Sequence, residues 1–98
     1  MEFFERLGET VTTTGQAAVE KAREIQAIAR LKGQIAACEE VIRKNYLEIG
    51  QKVFEQRKEN RTVDETTFEK QFRTIENAKK GREELKRQIE EIKNPSMY

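Results

Sequence analysis

The side chains of this sequence that could carry chemistry are a single cysteine, Cys38, and many carboxylates. The chain of 98 residues has no histidine, so it can form neither an imidazole base beside a nucleophile nor an imidazole metal ligand. Cys38 precedes Glu39 and Glu40, whose negative charges oppose the thiolate that a catalytic cysteine needs. We therefore predict that Cys38 is a small packing residue and that the protein is not an enzyme. A disulfide between two copies is the alternative, which a reducing cytoplasm disfavours.

Carboxylates can also bind metal ions in the core of a helical bundle. Carboxylate-bridged di-metal bundles combine inward glutamates with Glu-x-x-His pairs, and this sequence has glutamates without the histidines. The glutamates at helical spacing are Glu39, Glu48, Glu55, Glu69, Glu76 and Glu83, most of them off the apolar positions. We expect no metal, no cofactor and no catalytic residue.

The five glycines stand singly and form no phosphate-binding loop of the type G-x-x-x-x-G-K-S/T. Gly33, Gly50 and Gly81 fall inside helical patterns, where each glycine costs about 1 kcal/mol relative to alanine. Close approach of another helix is the interpretation that we favour for these three positions. A hinge is the alternative.

Charge and composition point to solvated helices. Hydrophobic residues make up 36% of the chain and charged residues 38%, with a net charge of only +1. A nucleic-acid surface needs lysines and arginines without opposing acids, whereas the most basic stretch, around Lys79 and Lys80, is surrounded by glutamates. We expect no nucleic-acid partner. The apolar share is low for a compact domain, which predicts helices that need a second copy or a partner for full burial.

Sevenfold apolar spacing predicts a long amphipathic helix from about residue 16 to residue 58, followed by a second helix. A short connection makes two successive helices antiparallel neighbours, so we predict a helical hairpin over residues 16–98 with its turn near 59–63. In this register the C-terminal half of the first helix lies near the start of the second. The predicted interaction seam consists of Ile28, Leu31, Ile35, Cys38, Ile42, Asn45, Tyr46, Ile49, Val53, Phe68, Phe72, Ile75, Leu85, Ile89 and Ile92; we call this set the hairpin seam.

Three local signals refine the hairpin. Thr62 followed three residues later by Glu65 fits a capping box, which predicts a helix start near Val63. Asn94 precedes Pro95 and is therefore disfavoured in helical geometry, which predicts the end of the second helix there. Asn45 either fixes the register of the hairpin seam or lies at its wet margin while Tyr46 takes the core place.

The first 15 residues differ from the rest of the chain. Phe3, Phe4, Leu7 and Val11 share one side of a predicted short amphipathic helix. Gly8, the threonines at 12–14 and Gly15 then weaken helical structure through backbone entropy and β-branching. We predict a short helix, a soft joint over residues 1–15, and then the long helix.

Location is predicted from what the sequence lacks. The stretch "MEFFERLGE" has acidic residues where a signal peptide has basic ones, and no apolar run approaches the roughly 20 residues that span a bilayer. We therefore expect a soluble cytoplasmic protein. The alternative is a peripheral membrane protein that inserts Phe3, Phe4, Leu7 and Val11 into a lipid interface, although acidic neighbours suit anionic lipid poorly.

The stretches "EFFERLGETVTTTGQAA", "AREIQAIARLKGQI" and "EEVIRKNYLEIGQKVFE" together resemble a family of small uncharacterised cytoplasmic proteins of Gram-positive bacteria. The resemblance covers nearly the whole chain through helical patterns. Members often carry a C-terminal zinc ribbon with paired cysteines after a coiled coil, and this sequence has no Cys-x-x-Cys. The resemblance thus implies either a member without the ribbon or a chain cut before it. It implies a shape and transfers no catalytic or metal residue.

The sequence therefore predicts an all-α protein, an antiparallel coiled-coil-like hairpin with a short N-terminal amphipathic helix, completed by dimerisation into a helical bundle. The expected function is helical protein–protein interaction or self-association. The expected partners are a second copy of the chain, as a dimer, or a helical protein.

Overall fold

The computed structural model describes the backbone of residues 2–95 and the side chains of residues 15–95. It contains the helix α1 (Glu2–Lys58), a 3-10 turn (Glu65–Phe68) and the helix α2 (Glu69–Lys93), with no strand among the residues described. The two helices pack against each other. The predicted all-α helical hairpin is confirmed. The chain divides into two compact units, Met1–Arg30 and Leu31–Tyr98, and the second contains the hairpin.

The first helix is longer than predicted. α1 begins at Glu2 and continues through the threonines at 12–14 and through Gly15, so the expected joint over residues 1–15 is not a break in the helix. Helix formation is cooperative: once a helix is nucleated, each added residue contributes its own hydrogen bond. A long helix therefore extends through a few unfavourable residues at a cost of about 1 kcal/mol for each glycine.

A Schellman motif ends α1. The Arg61 amide donates to the Gln56 carbonyl at 2.8 Å, and the Asn60 amide donates to the Arg57 carbonyl at 3.1 Å. Asn60 has a φ of 60°, the left-handed conformation that this motif requires and that asparagine tolerates better than most residues. The chain therefore turns back immediately after Lys58.

The start of the second helical segment is capped by Asp64 and not by Thr62. The Asp64 carboxylate accepts the Thr66 amide at 3.0 Å and the Thr66 hydroxyl at 2.6 Å. The predicted cap at Thr62 is therefore wrong, because the cap lies two residues later in the chain. The first turn after it, Glu65–Phe68, is a 3-10 turn. A carboxylate favours the positive end of a helix and here accepts two hydrogen bonds from one residue, which explains why Asp64 is the cap although the loop to it is two residues longer than the loop to Thr62.

The end of α2 agrees with the prediction. α2 ends at Lys93, and Asn94 has φ −132° and ψ 75°, outside helical geometry, as the following Pro95 requires. The Asn94 amide still donates to the Glu90 carbonyl at 2.8 Å.

Two approaches between the helices establish the antiparallel register within Leu31–Tyr98. A Cβ atom built at Gly81 would lie 3.8 Å from the Cys38 sulfur. The Lys79 ammonium lies 5.4 Å from the centre of the Tyr46 ring. Later positions on α1 thus meet earlier positions on α2.

The core of the hairpin is small. Its buried apolar residues are Leu31, Ile42, Phe68, Ile75 and Ile89. Full burial of each such side chain contributes about 1.5–3 kcal/mol, so a few residues provide most of the apolar stabilisation. Phe68, 2% exposed, is the most deeply buried of them, and its ring lies 6.2 Å from that of Phe72 at a tilt of 57°.

No helix among the described residues is both long enough and apolar enough to cross a membrane.

Candidate interaction surface

Within Leu31–Tyr98, the hairpin seam falls largely on the inward sides of the helices. All but two of its members are buried or half-buried. The buried members are Leu31, Ile42, Phe68, Ile75 and Ile89, and the half-buried ones are Ile28, Ile35, Cys38, Asn45, Ile49, Val53, Leu85 and Ile92. Cys38 faces Gly81 across the hairpin, where it is a packing residue.

Tyr46 and Phe72 are the two exceptions, at 50% and 41% exposed. Tyr46 lies at the edge of the helix pair, where the Lys79 ammonium covers part of its ring. Phe72 follows Phe68 by four residues and lies outside the inward line of α2, which runs through Gln71. A step of three residues and a step of four are equally compatible with a helical stripe, so spacing alone does not choose between Gln71 and Phe72.

Neither prediction for Asn45 matches the structure: Asn45 is not in the core, and Tyr46 does not occupy a core position in its place. Asn45 is half-buried, and its side-chain amide donates to the Val41 carbonyl of its own helix at 2.8 Å. The amide is therefore satisfied locally and has no need of a partner on α2.

The glycines divide into two kinds. Gly81 lies close to the other helix, as the close-approach interpretation expects, whereas Gly33 and Gly50 have nothing within 4 Å of a Cβ position. For these two, close approach of α2 is excluded. Gly50 instead lies on the open side of α1.

The hairpin also buries polar groups that the sequence pattern did not predict. Gln71 is only 8% exposed, and its Oε1 atom is buried without a hydrogen-bond partner, as are Gln56 Oε1 and Arg82 Nε. Arg82 Nε lies 3.5 Å from a Glu83 carboxylate oxygen, close enough for charge attraction but outside hydrogen-bonding geometry. The only sequence signal for Gln71 is its spacing of three and four from Phe68 and Ile75.

A second apolar surface lies on α1, beside the side that packs against α2. It is formed by Arg43, Tyr46, Leu47, Gly50, Gln51 and Phe54, which line an open groove of about 610 Å³; we call this surface the outer face. Phe54 is 68% exposed and Leu47 is 52% exposed. Arg43 follows the buried Ile42 by one residue, so the outer face is turned by about 100° around the helix axis from the core.

The groove has the geometry of coiled-coil holes. A hole on a helix is bounded by residues at i, i+3, i+4 and i+7. Arg43, Tyr46, Leu47 and Gly50 form one such set. Leu47, Gly50, Gln51 and Phe54 form the next. Gly50 belongs to both sets, and its missing side chain deepens the groove between Leu47 and Phe54.

Electrostatics at the N-terminal edge of the outer face are dominated by one ion pair. The Arg43 guanidinium donates to both Glu40 carboxylate oxygens, at 2.6 and 3.0 Å. These hydrogen bonds, with the positive charge of Arg43, lower the pKa of Glu40 and raise the pKa of Arg43. Both groups are exposed, and such pairs contribute little to stability. The pair orients Arg43 beside the groove.

A separate charge network lies on α2. Arg87 donates to Glu84 at 2.6 Å and to Glu91 at 2.5 Å, which lowers the pKa of Glu84. Glu84 and Arg87 line a smaller, charged groove together with Lys79, Lys80 and Glu83. The groove is thus lined by three cations and two carboxylates, so positive and negative charges are mixed along it.

Among residues 15–95, no group of three or more cysteine or carboxylate side chains is arranged to hold a metal ion. The predicted membrane or partner contacts Phe3, Phe4, Leu7 and Val11 lie outside the residues whose side chains are described.

Comparison with family models, with curated proteins and with solved structures finds no match to this chain. The resemblance to small Gram-positive bacterial proteins therefore stays a prediction.

Proposed function

We propose that this protein is a non-enzymatic helical interaction module that associates with itself through the outer face of α1. The observation that carries the proposal is the exposure of Tyr46, Leu47 and Phe54 around one open groove. Single exposed apolar residues are ordinary, whereas contiguous apolar patches on a protein surface mark interaction sites.

The energetics favour a helical occupant. Removing apolar surface from water contributes roughly 25 cal/mol per Å², and the hairpin leaves this surface of α1 uncovered. The holes at Gly50 have the spacing that accepts side chains of a facing helix. A second copy brings side chains of the same type to the same spacing, which is what a symmetric dimer interface requires.

The test compares the molar mass of the full chain with that of variants. Light scattering after size exclusion, across the micromolar range, should give a dimer for the unaltered chain. The Leu47→Glu, Phe54→Glu variant should be monomeric with unchanged far-ultraviolet circular dichroism, because both side chains are already exposed in the hairpin.

Val41→Glu is the matched control. Val41 is also exposed on α1, at 39%, but it precedes Ile42 and is therefore turned by about 100° in the opposite direction from the core. This variant should remain dimeric. A monomeric unaltered chain, or equal loss of association in the two variants, contradicts the proposal.

A further inference from the structure

The charges on and beside the outer face run in a definite order along α1. Glu40 stands at its N-terminal side, next to Arg43, and Arg57 lies in the last turn of the helix. Between them lie Leu47, Gly50 and Phe54. The spacing from Glu40 to Arg57 alternates three and four residues through these positions, so all six residues form one heptad stripe.

We infer that the outer face binds the outer face of a second copy in antiparallel orientation, with the two-fold axis between Glu48 and Ile49. The inference rests on the proposed self-association and adds its geometry. In this arrangement Leu47 of each copy packs against Gly50 of the other copy. Phe54 packs against Arg43, and Glu40 meets Arg57, each contact occurring twice.

Each of these three contacts is chemically complementary. Leu47 fills the space that the absent side chain of Gly50 leaves open. Phe54 offers its ring to the Arg43 guanidinium, a cation–π contact that arginine favours. Glu40 gains the Arg57 guanidinium in addition to that of Arg43, so one carboxylate lies between two positive charges.

Alternative arrangements are less complementary. A parallel pair in register sets Glu40 against Glu40, Arg43 against Arg43 and Arg57 against Arg57. Like charges placed opposite one another oppose association. The polar positions of a heptad stripe commonly select orientation and register in this way.

Shifting the antiparallel pair by one heptad also removes the complementary contacts. A shift in one direction places Leu47 against Arg57 and leaves Glu40 and Arg43 opposite positions beyond the end of α1 at Lys58. The Glu40–Arg57 and Phe54–Arg43 contacts are then both lost. A shift in the other direction places Glu40 against Gly50 and Leu47 against Arg43, so both the ion pair and the filling of the Gly50 space are lost. The register centred between Glu48 and Ile49 is thus the one that satisfies the charges and the groove together.

Site-directed crosslinking tests the orientation. Glu39→Cys and Arg57→Cys are introduced into separate full-length chains that also carry Cys38→Ala, and the two chains are mixed and treated with a short bis-maleimide. In the antiparallel pair, residue 39 of one copy lies one helical residue, about 1.5 Å along the axis, from residue 57 of the other. Residue 39 lies roughly 28 Å from its own counterpart.

We expect crosslinks between positions 39 and 57 and nearly none of the 39–39 or 57–57 type. Dominant 39–39 and 57–57 products show a parallel pair and overturn the inference while self-association stands. A dimer without crosslinks uses another surface and also overturns it. A monomeric unaltered chain removes the proposed self-association together with this inference.

A second measurement does not depend on new cysteines. Gly50→Met occupies the space that Leu47 of the other copy would fill, so the dimer dissociation constant should rise about tenfold, in line with the cost of overpacking. Gly33→Met is the control, since Gly33 is also on α1 with open space around it but outside the groove. Equal dimer affinities for the two variants contradict the inference.

Discussion

Cys38 on α1 and Gly81 on α2 lie directly across the hairpin from each other, with the Cys38 sulfur 3.8 Å from where a Cβ of residue 81 would stand. That separation is an ordinary van der Waals distance. The two helices are therefore in close contact at this point but leave room for a methyl group.

Gly81→Ala should stabilise the hairpin. The new methyl group fits against Cys38, and replacing glycine by alanine within a helix contributes up to about 1 kcal/mol. Urea unfolding at one protein concentration measures the effect. Gly33→Ala, which meets nothing within 4 Å, gives the helix-propensity gain alone. Gly81→Leu should destabilise the protein, because its larger side chain must displace the Cys38 sulfur. If Gly81→Leu unfolds no earlier than Gly81→Ala, the helices are not in contact at this position.

Gln71→Leu should raise the free energy of unfolding by about 1 kcal/mol, because it removes a buried carbonyl oxygen that lacks a hydrogen bond and adds apolar burial. Gln71→Glu is the matched control of similar size. It should lower stability at neutral pH, because an ionised carboxylate would be buried without a partner. A destabilising Gln71→Leu would show that the amide makes a bond that this arrangement lacks.

Phe68→Ala should cost about 3–5 kcal/mol of unfolding free energy, the usual range for truncating a buried phenylalanine, and this can unfold so small a core. Phe72→Ala should cost much less, since Phe72 is 41% exposed. Chemical denaturation of both variants, with circular dichroism as the readout, compares them. Comparable losses would mean that Phe72 shares the core position.

The Asp64 cap predicts a pH dependence. Two hydrogen bonds lower the pKa of Asp64 below its ordinary value of 3.8: the bond from the Thr66 hydroxyl, which has the larger effect, and the bond from the Thr66 amide. The folded-state pKa is thus lower than the unfolded one. The cap therefore stabilises the fold fully above the unfolded pKa and loses this effect as the pH falls through the folded value.

Thr66→Val tests that assignment. It removes the hydroxyl donor while keeping the amide, so the pKa of Asp64 should rise toward its ordinary value. The side-chain carboxyl carbon of Asp64, the sole aspartate in the chain, reports its titration by NMR without ambiguity. The thermal midpoint of Asp64→Asn should differ from that of the unaltered chain at neutral pH and approach it below the folded-state pKa. An unchanged Asp64 titration in Thr66→Val contradicts the hydrogen bond.

The sequence by itself determined the two helices, the hairpin and the end of α2 just before Asn94 and Pro95. Sevenfold and three-to-four spacing of apolar residues specifies which side of each helix turns inward, and the effect of proline on the preceding residue is local. Cys38, Ile42 and Ile75 accordingly lie where their spacing places them.

Tertiary structure decided the features in which neighbouring positions compete. Gln71 or Phe72 could follow Phe68 inward, and Thr62 or Asp64 could cap the next turn. Each choice depends on which arrangement fits the opposite helix and the turn as a whole. The outer face likewise emerged only from the structure, because Leu47 and Phe54 are apolar and at helical spacing like the core residues. They are exposed because α2 covers only one side of α1. The pattern of apolar residues along a helix does not specify how much of its surface the other helix buries.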